Sequence, residues 1–276
     1  MIHTYQFISY SFILLFSTHQ VLGQLTISER PLARKINETS GLEWYGNRLV
    51  THNDSGGRPA VYVFDPEGEE IEIIDLAGVQ NIDWEDITAD QDHYYIGDTG
   101  NNYGTRDNQK IYITDAHFQM QDSIMLRYEG QTSFKRRKIH PYDAEALANF
   151  GQQLVLFSKD RQDLDSRIYV MEKTPGPIAL SAVDTLKVGC LITGADHHEP
   201  SGLMALTGYA KSGEQYLFLL PDFEAPYQDK SKMRKFLLPV GPAQIEAIKI
   251  IDAHEFWLTS EDEGLGAPRL FKVRLD

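Results

Sequence analysis

This chain is built on a strand repeat whose units each begin with a short acidic segment. The openers are Ser40-Gly41-Leu42-Glu43-Trp44, Asp83-Trp84-Glu85-Asp86-Ile87, Asp143-Ala144-Glu145-Ala146-Leu147, Thr193-Gly194-Ala195-Asp196 and Gln244-Ile245-Glu246-Ala247-Ile248. After each comes a tight turn and a second apolar run, such as Gln153-Leu154-Val155-Leu156-Phe157, then a polar loop and a third run, such as Arg167-Ile168-Tyr169-Val170-Met171. Runs of four to eight β-branched and aromatic residues bounded by Gly, Asp, Asn and Pro read as short strands, and no segment sustains a helical period. Fourth strands are expected at Glu70 to Leu76, Ser123 to Tyr128, Ala179 to Leu186 and Lys235 to Val240, but the fifth unit reaches the last residue, Asp276, without one.

Units of about 40 to 60 residues with four strands each define a β-propeller, whose radial sheets cannot stand alone and surround a central channel. The expected fold is all-β, with five blades, or six if a degenerate unit hides in the long second interval. The strand missing from the last blade has a candidate in Gln24 to Glu29, which would close the ring and cover an open edge. Residues 24-276 then form one propeller domain. Residues 1-23 read as a signal peptide: they hold no Asp, Glu, Lys or Arg and carry an apolar run from Phe7 to Phe16, about half the length needed to span a bilayer. Cys190 is the single cysteine, so no intrachain disulfide is possible and an exported chain must be held by its core alone. A periplasmic, secreted or cell-surface location in a bacterium fits these features.

The set His52-Asn53-Asp54-Ser55-Gly56-Gly57, Asp83-Trp84-Glu85-Asp86-Ile87, Ile96-Gly97-Asp98-Thr99-Gly100-Asn101-Asn102, Asp143-Ala144-Glu145-Ala146, Ser158-Lys159-Asp160-Arg161 and Thr193-Gly194-Ala195-Asp196 resembles secreted Gram-negative propeller proteins of unestablished activity. These are similar to SdiA-regulated periplasmic propellers and, more distantly, to phytase-like and lactonase-like ones. The resemblance covers nearly all of residues 24-276 and implies a propeller fold and export. It implies no reaction, because propellers host many unrelated functions.

Chemistry must come from the rings of equivalent positions. First strands line a propeller's channel, so Glu43, Glu85, Glu145 and Glu246, with Asp196 as the nearest acid of the fourth unit, are expected to converge. Carboxylates so confined must bind a cation, take up protons or pair with bases. Calcium suits such a set, being a hard ion that takes six to eight oxygens; capping of backbone amides is the structural alternative. A second ring arises from loops after the second strands: His52, Asn53 and Asp54; Asp98, Asn101 and Asn102; Lys159, Asp160 and Arg161; Tyr209 and Lys211; and Glu261, Asp262 and Glu263. This polar funnel of mixed sign is where a small molecule, glycan or protein would bind, although these are also ordinary turn sequences.

With 26 Lys+Arg against 40 Asp+Glu the net charge is −14, which argues against a nucleic-acid binder, since affinity for phosphate backbones comes from basic residues. The one basic run, Lys135-Arg136-Arg137-Lys138, reads as a solvated loop, and His197-His198-Glu199 as a hairpin tip before Pro200. Two functions follow: a monomeric exported binding module with a calcium-holding channel, or a metal-dependent esterase, lactonase or phosphoesterase with His52 or a ring carboxylate as base.

Overall fold

The computed structural model describes residues 25–227, 229–262, 264 and 266–276. The expected leader, Gln24 and Glu263 lie outside the described residues. Blade one consists of β2 (Thr39–Tyr45), β3 (Arg48–Asn53), β4 (Ala60–Phe64) and β5 (Glu70–Asp75). Blade two consists of β6 (Asp86–Ala89), β7 (His93–Asp98), β8 (Lys110–Asp115) and β9 (Met120–Tyr128). Blade three follows with β10 (Ala144–Phe150), β11 (Gln153–Ser158), β12 (Ser166–Glu172) and β14 (Asp184–Leu186), and blade four with β15 (Leu191–His198), β16 (Leu203–Tyr209), β17 (Gln215–Leu220) and β18 (Arg234–Leu238). Blade five uses β19 (Gln244–Ile250), β20 (Glu255–Glu261) and β21 (Arg269–Leu275), and its outer strand is β1 (Leu25–Pro31). The fold is therefore a five-bladed propeller. Its closure is the expected one: β1 runs antiparallel to β21 from Leu25 opposite Leu275 to Pro31 opposite Arg269.

One strand differs from expectation. The stretch Ala179 to Leu186 does not form a single outer strand of blade three. Its beginning belongs to β13 (Gly176–Leu180), which adds in parallel to β9 of blade two, and only β14 completes blade three. An edge position tolerates Pro177, which has no N–H to give a ladder, and β13 buries Leu180 among the apolar residues shared by blades two and three.

The apolar core lies between blades, because alternate residues of a strand face opposite sides of its sheet. In β3, Leu49 packs toward blade five while Val50 packs toward blade two. In β20, Trp257 faces blade one while Phe256 and Leu258 face blade four. Five such clusters fill the five interfaces. Cys190 is buried in the one between blades three and four. Among the described residues no helix is long and apolar enough to cross a membrane.

Each inner strand leaves one edge without a strand partner, and side chains of other blades bond several of the backbone groups there. Ser40 bonds the Glu85 carbonyl (2.5 Å), Thr99 the Ala144 carbonyl (2.8 Å) and Thr193 the Ile245 carbonyl (2.7 Å), while Thr39 donates to Thr259 (3.1 Å). Asp86, fully buried, accepts the amides of Leu147 (2.8 Å) and Ala195 (3.2 Å) from two different blades.

Candidate functional site

The ladder register divides the expected carboxylate ring into two levels. Glu145 and Glu246 occupy bulge positions, skipped between Ala144 and Ala146 and between Ile245 and Ala247, and Glu85 immediately precedes the pair Asp86–Gly97. A bulge leaves one residue unpaired and re-aims its side chain. In blade one the irregularity falls between Ser40 and Glu43, so Glu43 is already back on the ladder opposite Val50. Thr193 holds the bulge position of blade four, and Asp196 lies three residues further along its strand.

Glu43 and Asp196 accordingly meet each other through Lys249 instead of joining the other three. The Lys249 ammonium stands 2.7 Å from Glu43 and 2.8 Å from Asp196. Glu43 also accepts the amides of Trp44 (2.6 Å) and Ala89 (3.2 Å), and Asp196 that of Ile250 (2.8 Å). Burial disfavours the Lys249 ammonium, but the two carboxylates outweigh it and raise its pKa. For Glu43 burial wins over Lys249, and its pKa rises.

Glu85, Glu145 and Glu246 line a pocket of about 220 Å³ at the channel mouth, together with Asp54 from the end of β3 and Glu261 from the end of β20. The cations there are Lys159 and Arg161, from the loop after β11, and the neutral lining includes Asn102, Tyr209 and Gln244. Lys159 is ion-paired with Glu145 and lies 5.2 Å from the centre of the Tyr209 ring. Arg161 pairs with the fully buried Asp143 and reaches Asn102 (2.6 Å) and Glu145 (3.4 Å). Gln244 donates to both Glu246 and Glu261. Every lining side chain is polar, so the pocket offers nothing to an apolar ligand.

Two triads of carboxylates have oxygens within 4.8 Å of one another: Asp54, Asp83 and Glu85, and Glu85, Asp143 and Glu145. The second is largely compensated, since Arg161 holds Asp143 and Lys159 holds Glu145. In the first, Arg106 is 4.0 Å from Asp83 but closer, at 2.8 Å, to Asp98, while Lys159 acts on all three carboxylates from a greater distance. Asp54 Oδ1 is buried with no hydrogen-bond partner among the described residues. Burial, reinforced by the charges of Asp83 and Glu246, pushes the Asp54 carboxyl well above its ordinary pKa, and burial with Glu145 and Asp54 does the same to Glu85. Glu145 is raised to about 8, because burial and the Glu246 charge outweigh Lys159. Burial also opposes the charge on Lys159, but Glu145 and Glu246 hold its pKa well above the ordinary lysine value.

The remaining candidates sit elsewhere. His52 is fully buried, edge-on to Trp84 with ring centres 5.5 Å apart, and is not among the side chains lining the pocket. Burial depresses its pKa to about 4. Asn53 bonds the Lys35 carbonyl (2.8 Å), Asp98 accepts the Asp83 amide (3.1 Å), and Asn101 binds the Tyr142 carbonyl (2.9 Å), all fixing loops. Asp160 accepts the Gln162 amide (2.9 Å), and the Asp262 amide bonds the Asn37 carbonyl (2.8 Å). His197 packs on Phe150 and His198 bonds Ser201 (2.8 Å), so this pair is structural. Asp83, Asp86, Asp143 and Gln244 stand in the sequence only as parts of the unit openers, and Lys249 not at all among the site candidates. For Lys249 a signal existed, a lone cation between Ile248 and Ile250 in an inner strand.

No known protein family and no curated protein matches this sequence. Solved propellers do match its fold. An exo-β-1,3-galactanase from Phanerochaete chrysosporium, solved with β-1,3-galactotriose, is 10% identical over 90% of this chain and 63% of its own, with a TM-score of 0.53. The Neurospora crassa Pan2 WD40 domain is 10% identical over 86% of this chain and 75% of its own, with a TM-score of 0.42. A chain of the mitotic checkpoint complex is 12% identical over 86% and 77%, with a TM-score of 0.46. The class defined by fold and site is thus a five-bladed β-propeller with a buried acidic channel mouth. Its carboxylate clusters have the donor chemistry to hold a metal ion.

Proposed function

We propose that this propeller is an exported binding module whose channel mouth holds a calcium ion on Asp54, Asp83 and Glu85 and takes a small polar ligand, such as a glycan, over it. The observation that carries the reading is the partnerless buried Oδ1 of Asp54 beside the Asp83 and Glu85 carboxylates. A buried acceptor without a donor costs about 1–3 kcal/mol, and a hard cation supplies what no side chain there does. Three carboxylates also leave a calcium ion short of its six to eight oxygens, so a hydroxyl-rich ligand can complete the shell. Arg161, the partly exposed cation of the lining, can orient such a ligand. The hydrolytic alternative has less support, because His52 lies outside the pocket lining and Glu145, the lining carboxylate raised to about 8, is already ion-paired with Lys159.

Metal analysis of purified protein, with calorimetric titration of calcium into chelator-treated material, tests this reading. One site per chain is expected. Absence of both heat and bound metal overturns it. Export is proposed from the uncharged apolar N-terminus and from the motif resemblance to SdiA-regulated periplasmic propellers. N-terminal mass spectrometry of soluble extracytoplasmic protein should find a chain starting near Gln24, and an intact Met1 there would contradict export with cleavage. A monomer is proposed as well, readable from its elution volume.

A further inference from the structure

The basic run Lys135-Arg136-Arg137-Lys138 is held in place on the mouth side of the disc. Arg136 stacks on the Tyr103 ring at 3.5 Å, the Arg137 amide bonds the Tyr103 carbonyl (2.9 Å), and Gln131 anchors the start of the loop on the Gly104 carbonyl (3.1 Å). All four basic residues are exposed, and among the described residues none forms an ion pair. In a chain of charge −14 they form a local concentration of positive charge, four cations in succession. Large apolar side chains flank the run: Phe134 is 39% and Ile139 64% exposed. Ile82, another exposed apolar residue, shares a cavity with Tyr103, and Lys138 shares a second one with Tyr103 and Arg161. Cations, aliphatic side chains and tyrosine therefore form one patch beside the mouth.

We propose that this patch docks the propeller on an anionic phospholipid surface, with Phe134 and Ile139 entering the headgroup region and the four cations pairing with lipid phosphates. A soluble polyanion would use the cations but give the apolar pair no role, whereas a bilayer uses both. The negative charge of the rest of the molecule is no obstacle at physiological salt, where screening acts within about 8 Å. Docking would turn the acidic pocket toward the membrane.

Flotation with vesicles tests this, using the full chain, so that the N-terminal apolar run is common to every variant. Binding should be strong to phosphatidylcholine vesicles containing one quarter phosphatidylglycerol, weak to pure phosphatidylcholine, and should fall as salt rises. The variant K135A/R136A/R137A/K138A should bind on the order of a hundredfold more weakly or worse, and F134S/I139S about tenfold more weakly, each with an unchanged melting temperature showing that the exposed loop is not needed for folding. Equal binding to both vesicles, wild-type binding by the fourfold variant, no vesicle binding, or retention on a heparin column without vesicle binding would each overturn the proposal.

Discussion

Lys249 Nζ lies 2.8 Å from Asp196 Oδ1, and with Glu43 on its other side this lysine joins the inner strands of blades one, four and five. Replacing Lys249 by Met should leave two buried carboxylates facing one another and lower unfolding stability by about 3–5 kcal/mol, the cost of breaking a buried pair. Urea denaturation measures this. Adding Glu43→Gln should recover part of the loss, because one of the two stranded charges is then removed; a double variant no more stable than K249M would contradict the pairing.

Ring closure is tested at the other end of the chain. A protein beginning at Lys35 lacks β1, whose Leu25 and Ile27 pack against the core of blades four and five, and lacks the buried Leu32. It should melt at a lower temperature or associate through the exposed edge of β21. An unchanged melting temperature in a monomer would refute closure by this strand.

The blades could be read from sequence because two-residue periodicity and turn residues act locally. The destination of an outer strand could not: nothing between Gly176 and Leu180 states whether it adds to β12 or to β9, since edge pairing is decided by what the neighbouring blade leaves open. The acidic ring was misread in one respect for a similar reason. Glu43 aligns with Glu85 in the linear pattern, but bulges shift blade one relative to the others, and a shift along the strand moves a side chain to another depth. Asp83 and Asp143 read as openers of units because the approach of Asp83 to Asp54, and of Asp143 to Glu85, depends on neighbouring blades meeting.

Gly100 is a position where the site allows no side chain. A Cβ there would fall 2.5 Å from the Asp83 carboxyl carbon and overlap a Glu85 oxygen. Its φ is ordinary, so the constraint is space and not backbone conformation. Gly100→Ala should cost about 1–3 kcal/mol and abolish stabilisation by calcium, read as thermal shifts with and without chelator.

The pH dependence has a definite sign. Glu145 titrates near 8 in the folded chain against 4.5 ordinarily, and Asp54 and Glu85 are displaced in the same direction. The folded state thus holds more protons than the unfolded one across this interval, and stability falls as pH rises through it. For cation-free protein, the stabilisation is complete below about 4.5 and lost by about 8. A cation competes with those protons, so its stabilising effect should grow from pH 6 to pH 8, and its binding should release protons, seen as a buffer-dependent heat. A thermal shift by calcium that shrinks over that range would contradict the assignment.

Glu85→Gln separates a cation site from a plain acidic cavity. Glu145 is unsuitable for this purpose, because its loss also strands Lys159, its ion-pair partner. The strongest charges acting on Glu85 are the repulsive ones of Glu145, Asp54 and Asp83, so neutralising it relieves repulsion unless a cation is there to be lost. A bound ligand stabilises by RT ln(1 + [L]/Kd), about 2.7 kcal/mol at a hundredfold excess over Kd. In calcium the variant should therefore melt below wild type, while in chelator the order should reverse or vanish. A variant equally or more stable than wild type in both conditions, with wild type insensitive to chelator, would remove calcium from the channel mouth and leave protons and Lys159 as the compensation for its charge.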